Sequence, residues 1–368
     1  MNADTPQALT PTCQLLARQE ADYRGWWWVA PPRDPWLEGV QGLAISADLV
    51  VRQAWQAAGR PAYSPFDSLP GSAEEAPQGE GQREVQGAVL FWPKSHALGE
   101  WWLLWLCATL PEGTPLQLVG ENQGGIKRVL KVLAALGLGC RKLDSARRCS
   151  LFETRLGRVA IDPDAAWTAF EVEPDAERLL LASHPGVFGH GKLDDGTRLL
   201  LETLPAVLPM GDGPGDVLGD VLGDVLDMGC GDGILAAWLA RRGAAVTAVD
   251  VNAFAVEATR RTLATNGLVG ETLESDVYSA LAGRTFDAIV SNPPFHQERA
   301  IDYGPAAQLI LEALAHLKPG GQLLLVANAF LPYPDLLERA FGGFEILADD
   351  RRFRVYRAIS PGRDRRSR

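Results

Sequence analysis

The chain has only five cysteines and five histidines in 368 residues, and neither set is spaced for a task. Cys13, Cys107, Cys140, Cys149 and Cys230 are scattered and odd in number. That argues against a disulfide framework or a zinc site and for reduced thiols in a cytoplasmic protein. The histidines form no ligand pattern, and no metal is expected. Positive charge is short overall: 35 Lys and Arg stand against 46 Asp and Glu, a net charge of −11. This excludes a generally basic nucleic-acid binder. No uninterrupted apolar run reaches membrane-spanning length, Trp101 to Leu110 being far too short. The opening MNADTPQALTPTC has neither the basic region nor the apolar core of a signal peptide, so none is expected. An apolar content of 46% argues for packed cores over disorder. The length allows two domains at roughly 150 residues each.

The most informative stretch that is present is FDAIVSNPPFH, Phe286 to His296. Ala288-Ile289-Val290 has the apolar, β-branched character of a central parallel strand. The two prolines that follow cannot donate to a sheet, so the strand halts at a carboxyl edge, where open α/β folds keep their ligands. At that edge Asn292 offers an amide oxygen, Pro293 a backbone carbonyl and Phe295 a stacking ring. Two acceptors beside a ring face suit a planar base carrying an exocyclic amino group. Such an amine is a weak nucleophile because its lone pair is delocalised into the ring. Accepting its N–H groups draws the nitrogen toward tetrahedral geometry and aims the lone pair, while the ring holds the base in register. Taken alone, the tetrapeptide fits a proline-rich loop about equally well. His296 reads as structural or at the substrate edge, not as catalytic.

Upstream, VLDMGCGDG (Val225 to Gly233) is a short apolar strand running into a glycine-rich turn. A helix follows, then a second strand that ends in Asp250. Gly229, Gly231 and Gly233 are expected to let the backbone approach a ligand at a helix N-terminus. Cys230 is expected to pack, not to react. Asp250 follows Asp227 by 23 residues (250 − 227), the place where an acid binds ribose hydroxyls in dinucleotide folds. This much does not separate NAD from S-adenosylmethionine. The remainder does: a helix from Phe254 to Asn266, then Asp276-Val277, suited to an adenine amino group and ring face, then the Asn-Pro-Pro-Phe strand. Pro305 opens the next helix, Lys318 to Gly321 ends it, Gln322 to Asn328 is a fifth strand, and FEILADD with RFRVYRA closes as an antiparallel pair. Seven mostly parallel strands alternating with helices and ending in a hairpin look like the class I, Rossmann-like α/β fold of S-adenosylmethionine-dependent methyltransferases.

On these residues the chain resembles the bacterial ribosomal RNA guanine-N2 methyltransferases, and most closely the small-subunit methyltransferase C family. The matching stretches are HPGVFGHGKLDDGTRLLLETL (His184 to Leu204), VLDMGCGDG, VSNPPFHQ, VANAFLPYPDLLE (Val326 to Glu338) and FRVYRA (Phe353 to Ala358). In the first half FWPKS (Phe91 to Ser95), LVGENQGGI (Leu118 to Ile126) and LDSARRC (Leu143 to Cys149) match as well. The resemblance implies an enzyme that methylates the N2 amine of a guanosine in small-subunit (16S) ribosomal RNA with S-adenosylmethionine. It implies a monomer in the cytoplasm whose partner is ribosomal RNA, in the small subunit or an assembly intermediate, with no membrane involved. Under it, Asp227, Gly229 and Gly231 lie near the methionine moiety, Asp250 on the ribose, and Asp276 with Val277 at the adenine. Thr197 also lines the cofactor pocket, Asn292 and Pro293 orient the amine, and Phe295 stacks on the base. The large-subunit guanine-N2 family shares the Asn-Pro-Pro-Phe-His pattern and competes. So do adenine-N6 DNA and protein glutamine methyltransferases, which carry the tetrapeptide. A nicotinamide oxidoreductase would leave the tetrapeptide unexplained, and a non-enzymatic assembly factor would need a dead cofactor site.

The first half reads as a faint copy of the second. GAVLFWPKS (Gly87 to Ser95) parallels DAIVSNPPF (Asp287 to Phe295), with Trp92 in the place of Asn292. No glycine-turn strand is recognisable upstream of it. The expected division is a degenerate methyltransferase-like domain over 1–165 with an RNA-binding or structural role, a catalytic domain over 166–360, and a basic tail over 361–368. Trp26, Trp27, Trp28, Trp101, Trp102 and Trp105 are expected to pack in a core in preference to forming a base-stacking platform. Charge is local where overall charge is lacking. Between Gly124 and Ser150 seven basic residues face one acid, Asp144, and Lys127, Arg128, Arg147 and Arg148 are candidates for phosphate contacts. A surface loop is expected over Ser64 to Gln82. The repeat GDVLGDVLGDVL (Gly215 to Leu226) is expected to lengthen a loop without a function of its own.

Overall fold

The computed structural model describes residues 6–19, 21–70, 85–159, 162–208, 223–293 and 304–362. Two compact units, 1–166 and 167–368, are each built around a seven-stranded sheet. Most of the Ser64 to Gln82 loop, the first two copies of the GDVL repeat and the last six residues of the tail lie outside the described residues.

In the first unit the strands are β1 (Trp26–Val29), β2 (Leu43–Ile45), β3 (Ala62–Tyr63), β4 (Gly87–Phe91), β5 (Pro115–Glu121), β6 (Arg141–Ala146) and β7 (Cys149–Arg155), in the order β3-β2-β1-β4-β5-β7-β6. The first five are parallel and β7 turns antiparallel against β5. Helix α1 (Pro11–Ala17) precedes the strands, and α2 (Leu49–Ala57), α3 (His96–Thr109) and α4 (Val129–Ala135) lie between them. Their starts are set locally. Asp48 accepts the Val50 and Val51 N–H groups, and Ser95 accepts that of Leu98, so α2 and α3 begin on side-chain caps. Trp101, Trp102 and Trp105 of α3 are buried against one another, Trp101 and Trp105 stacked at 6.2 Å. Trp27 and Trp28 are also buried, and Trp26 is half-buried. These rings are core.

In the second unit β8 (Thr168–Val172) and β9 (Leu179–Ser183) form a separate antiparallel ribbon. The sheet comprises β10 (Asp224–Met228), β11 (Ala245–Asp250), β12 (Glu271–Glu274), β13 (Phe286–Ser291), β14 (Leu317–Asn328), β15 (Glu345–Asp349) and β16 (Phe353–Ile359). Its order is β12-β11-β10-β13-β14-β16-β15, the same as in the first unit strand for strand. Helices α5 (Asp195–Thr203), α6 (Ile234–Arg241), α7 (Ala253–Thr265), α8 (Gly304–Glu312) and α9 (Tyr333–Phe341) complete it. Alternate strand residues feed two cores. Val225, Ala288, Val290, Leu324 and Val355 join one, while Leu226, Ile289, Leu323, Leu325 and Tyr356 join the other. Period-two burial on both faces is what a parallel sheet covered by helices requires.

The shared order identifies the missing cofactor strand of the first half. β1 stands where β10 stands, and Ala30-Pro31-Pro32 follows it in place of the glycine turn. Its four residues, three of them tryptophan, carry none of the glycine signal, which is why the sequence hides it.

Candidate active site

β10 and β13 are neighbours from which the chain continues outward in opposite directions, so their carboxyl ends flank a switch point of the sheet. Both motifs sit there. The Ser291 hydroxyl donates to the Met228 carbonyl at 2.7 Å, tying the end of β13 to the end of β10. The glycine turn is held from the other side, where Gly229 and Cys230 donate their N–H groups to the Val249 carbonyl at 2.8 and 3.0 Å.

Gly229 and Gly231 have φ of +79° and +55°, and a Cβ built on either would meet nothing within 4 Å. The turn therefore leaves open space along its surface, in a conformation that excludes ordinary side chains. Gly233 differs from the expectation. A Cβ there would come within 2.8 Å of the Thr259 backbone, so this glycine serves the close packing of α6 on α7 and not the approach of a ligand. Cys230 packs as expected: it is buried, and burial pushes its thiol well above the ordinary range.

Asp250 ends β11 beside the turn. Its carboxylate accepts the Gly231 N–H at 3.2 Å and the Asn252 N–H at 2.9 Å. Burial raises its pKa and these N–H groups hold it down. The Ser275 N–H donates to the Asp250 carbonyl at 2.9 Å, which brings Asp276 and Val277 to the same place. Val277 has φ of +48°, a strained value for a β-branched residue, and the Ser275 hydroxyl pins its carbonyl at 2.7 Å. Asn252 donates to the Gly186 carbonyl at 3.0 Å, so the His184 to Asp194 segment joins this edge too. That segment is locked by ring packing: His184 stacks on Phe254 at 4.4 Å, and Phe254 fills the space a Cβ would need at Gly186.

Asp227, expected near the methionine moiety, presents no carboxylate at the surface of the turn. It is fully buried beneath the turn, where one carboxylate oxygen accepts the Ala236 N–H of α6 at 3.0 Å; among the described residues the other has no partner. The side chain that follows the strand's apolar alternation points into the core, so it braces α6 instead of lining the surface. Burial pushes its pKa up to about 7. An acid raised in the folded state destabilises that state as pH climbs from the unfolded value, near 4, to the folded one. Between pH 5 and 8 wild type should therefore lose stability that Asp227→Asn retains, a difference on the order of 2–3 kcal/mol. Denaturant unfolding of both proteins across that range checks this. Parallel pH curves would contradict it.

Around Asn292, where an amine site is expected, the structure has one arrangement that the sequence does not announce. Asn292 is half-buried, and its amide Nδ2 donates to Asp194 at 2.9 Å and to the Thr197 hydroxyl at 2.8 Å. A carboxylate can only accept, so Asp194 determines which end of the amide is nitrogen. The amide oxygen is thereby left to accept from a ligand. Asp194 is also the N-cap of α5, taking the Thr197 N–H at 3.1 Å. Thr197, expected in the cofactor pocket, is thus brought to the Asn292 amide. Pro293 is buried directly after Asn292. Phe295 and His296 lie outside the described residues. In the first unit Trp92, at the position matching Asn292, is buried with its ring against Gly99 of α3. A packed indole there leaves no acceptor for an amine.

In the first unit the four basic candidates are exposed and close to one edge. Lys127 and Arg128 follow β5, while Arg147 and Arg148 form the turn between β6 and β7. The Asn122 N–H donates to the Arg148 carbonyl at 2.8 Å, which fixes that turn beside the end of β5. The lone acid of this stretch, Asp144, is taken by Arg18 at 3.0 Å and by Gln19 at 2.7 Å.

A glycine turn, a ribose-type acid and an amide acceptor at one switch point define a methyltransferase of the class I fold. The family described as Methyltransferase small domain matches residues 178–357, and Methyltransferase small domain N-terminal matches residues 64–169. The Ribosomal RNA small subunit methyltransferase C of Chromohalobacter salexigens is 63% identical over 356 residues, covering 97% of this chain and 99% of its own. That of Pseudomonas aeruginosa is 47% identical over 275 residues, covering 74% and 78%. Among solved structures, the T. thermophilus 16S rRNA N2 G1207 methyltransferase in complex with AdoMet and guanosine matches with a TM-score of 0.80 and 28% identity, over 96% of this chain and 94% of that one. The chain belongs to the ribosomal RNA small subunit methyltransferase C family.

Proposed function

We propose that this protein transfers a methyl group from S-adenosylmethionine to the N2 amine of a guanosine in small-subunit ribosomal RNA, using the second unit alone for chemistry. The observation that carries the reading is the Asn292 amide, held nitrogen-inward by Asp194 and Thr197 at the carboxyl end of β13. A solved relative of the same architecture is described with AdoMet and guanosine, and the family name supplies the RNA.

The residues present fit the cofactor. Gly229 and Gly231 leave open space, Asp250 stands at the edge for the ribose hydroxyls, and Asp276 with Val277 for the adenine. When bound, S-adenosylmethionine supplies an electrophilic methyl on sulfur. The chain's own contribution is to present the amine. Asn292 Oδ1 and the Pro293 carbonyl each accept one N–H of the guanine amine, and Phe295 stacks on the ring. Drawn toward tetrahedral geometry, the nitrogen would offer its lone pair to that methyl carbon; as the N–C bond forms the S–C bond breaks, its electron pair staying on sulfur in the departing neutral thioether, and the alkylated amine then loses a proton to water without a strong base. A paired guanosine must first be flipped out, at a cost of a few kcal/mol, which favours single-stranded or partly assembled RNA as substrate. We assign the first unit to holding that RNA, and read the chain as a cytoplasmic monomer. Among the described residues no helix is long and apolar enough to cross a membrane.

Reversing the charge of Lys127, Arg128, Arg147 and Arg148 should weaken RNA binding and lower its log–log salt slope by about one unit per lost phosphate contact. Cofactor affinity should stay at the wild-type value. An RNA titration over a salt series that returned the wild-type slope would make this edge an ordinary solvated surface.

A further inference from the structure

Besides their strand order, the two units have a surface feature in common while differing in the cofactor turn. At the ends of the matching strands Glu121 pairs with Cys149, and Asn328 with Phe353. The next backbone bonds match as well: Asn122 N–H donates to the Arg148 carbonyl, and Ala329 N–H to the Arg352 carbonyl, both at 2.8 Å. Arg147-Arg148 and Arg351-Arg352 therefore hold equivalent places at the tips of the closing hairpins, on the carboxyl edge of each parallel set. All four are exposed. Arg147, Arg148 and Arg351 have φ of 51°, 63° and 75°. Hairpin tips in this left-handed region favour Gly, Asn or Asp, so arginine there is strained. Strain kept at the same place in both units points to use. A cofactor duty cannot explain it, because the first unit has Ala30-Pro31-Pro32 in place of the glycine turn and a buried Trp92 in place of Asn292. What the copies still share is an arginine pair suited to phosphates.

In the second unit the tip has an added neighbour. Phe330 follows Ala329 directly and is 66% exposed; the equivalent residue of the first unit is Gln123. Arg354 donates to the Ala329 carbonyl at 3.3 Å, closing the backbone around Phe330. The Arg352 guanidinium pairs with Asp195 at 3.0 Å, next to the Asp194 that holds Asn292. Both partners of that pair are largely exposed, so it is weak and a phosphate can replace the carboxylate.

We propose that Phe330, Arg351 and Arg352 form a subsite for the nucleotide next to the target guanosine, Phe330 stacking on its base and the arginines taking its phosphates. This rests on the RNA methyltransferase reading above. The test is steady-state methylation of unmodified small-subunit ribosomal RNA by Phe330→Ala and by the pair Arg351→Glu with Arg352→Glu, with thermal unfolding as the folding control. Phe330→Ala should raise the KM for RNA about tenfold, the loss of one stacked base, and Phe330→Tyr should restore it. The double reversal should lower the salt slope of RNA binding by about two units. In both the loss falls on KM for RNA, and calorimetric affinity for S-adenosylmethionine is unmoved. Wild-type KM and salt slope in folded variants would overturn the subsite alone. Absence of methyl transfer by the wild-type enzyme would overturn the subsite and the reading it rests on together.

Discussion

Asn292→Ala should slow methyl transfer 10²- to 10³-fold in a single-turnover assay with saturating cofactor, while leaving S-adenosylmethionine affinity nearly unchanged. The amide matters most as the amine nitrogen turns tetrahedral, so its loss raises the barrier more than it weakens the ground state. A positioned transition-state acceptor of this kind is worth about 3–4 kcal/mol, which is that range of rates. Asp194 extends the prediction. It holds the amide nitrogen at 2.9 Å and caps α5 at the same time. Asp194→Ala should therefore slow transfer by about one to two orders of magnitude and also cost about 1 kcal/mol of stability for the cap. Since Asp194 works through Asn292, the double variant should be no slower than Asn292→Ala alone. Additive losses in that cycle would mean that Asp194 acts on its own account. Trp92→Ala is the matched control: it alters the equivalent strand end of the first unit and should leave the chemical step at the wild-type rate when the protein folds.

Asp250→Ala should weaken S-adenosylmethionine about 10- to 150-fold, the loss of hydrogen bonds to a charged acceptor worth about 1.5–3 kcal/mol. The variant also frees the Gly231 N–H that Asp250 accepts at 3.2 Å, so part of the loss comes through the shape of the turn. Asp250→Asn separates the two effects, because an amide oxygen still accepts from Gly231 without the charge. Calorimetry showing unchanged affinity in both variants would remove Asp250 from the ribose. Preference for NADH over S-adenosylmethionine would remove the methyltransferase reading itself.

The second unit was legible because its signals are local. A strand, a glycine turn and an acid lie within 26 consecutive residues (225 to 250), and two prolines mark where the next strand must stop. Residues in direct succession share an edge by geometry alone. The partners of Asn292 were not legible, because Asp194 and Thr197 are 98 and 95 residues away in sequence and only tertiary packing joins them. The direction of the Asp227 side chain is hidden for a related reason: the motif shows its neighbours, but strand alternation turns its carboxylate into the core. Gly233 belongs to the same turn as Gly229 and Gly231, yet what it makes room for is Thr259 on another helix. In the first unit the duplication was visible where β4 and β5 keep their apolar strand and turn pattern. It was invisible at β1, where tryptophans took the place of the residues that mark the fold.

Asn292 is the residue through which we propose that this protein methylates the N2 amine of guanosine in small-subunit ribosomal RNA. Mapping N2-methylguanosine in that RNA, from cells lacking the protein and from the same cells carrying either wild type or Asn292→Ala, tests it directly. One N2-methylguanosine should disappear with the protein, return with wild type, and stay absent or sharply reduced with Asn292→Ala present at equal abundance. An unchanged modification map in cells lacking the protein, or full restoration by Asn292→Ala, would contradict it.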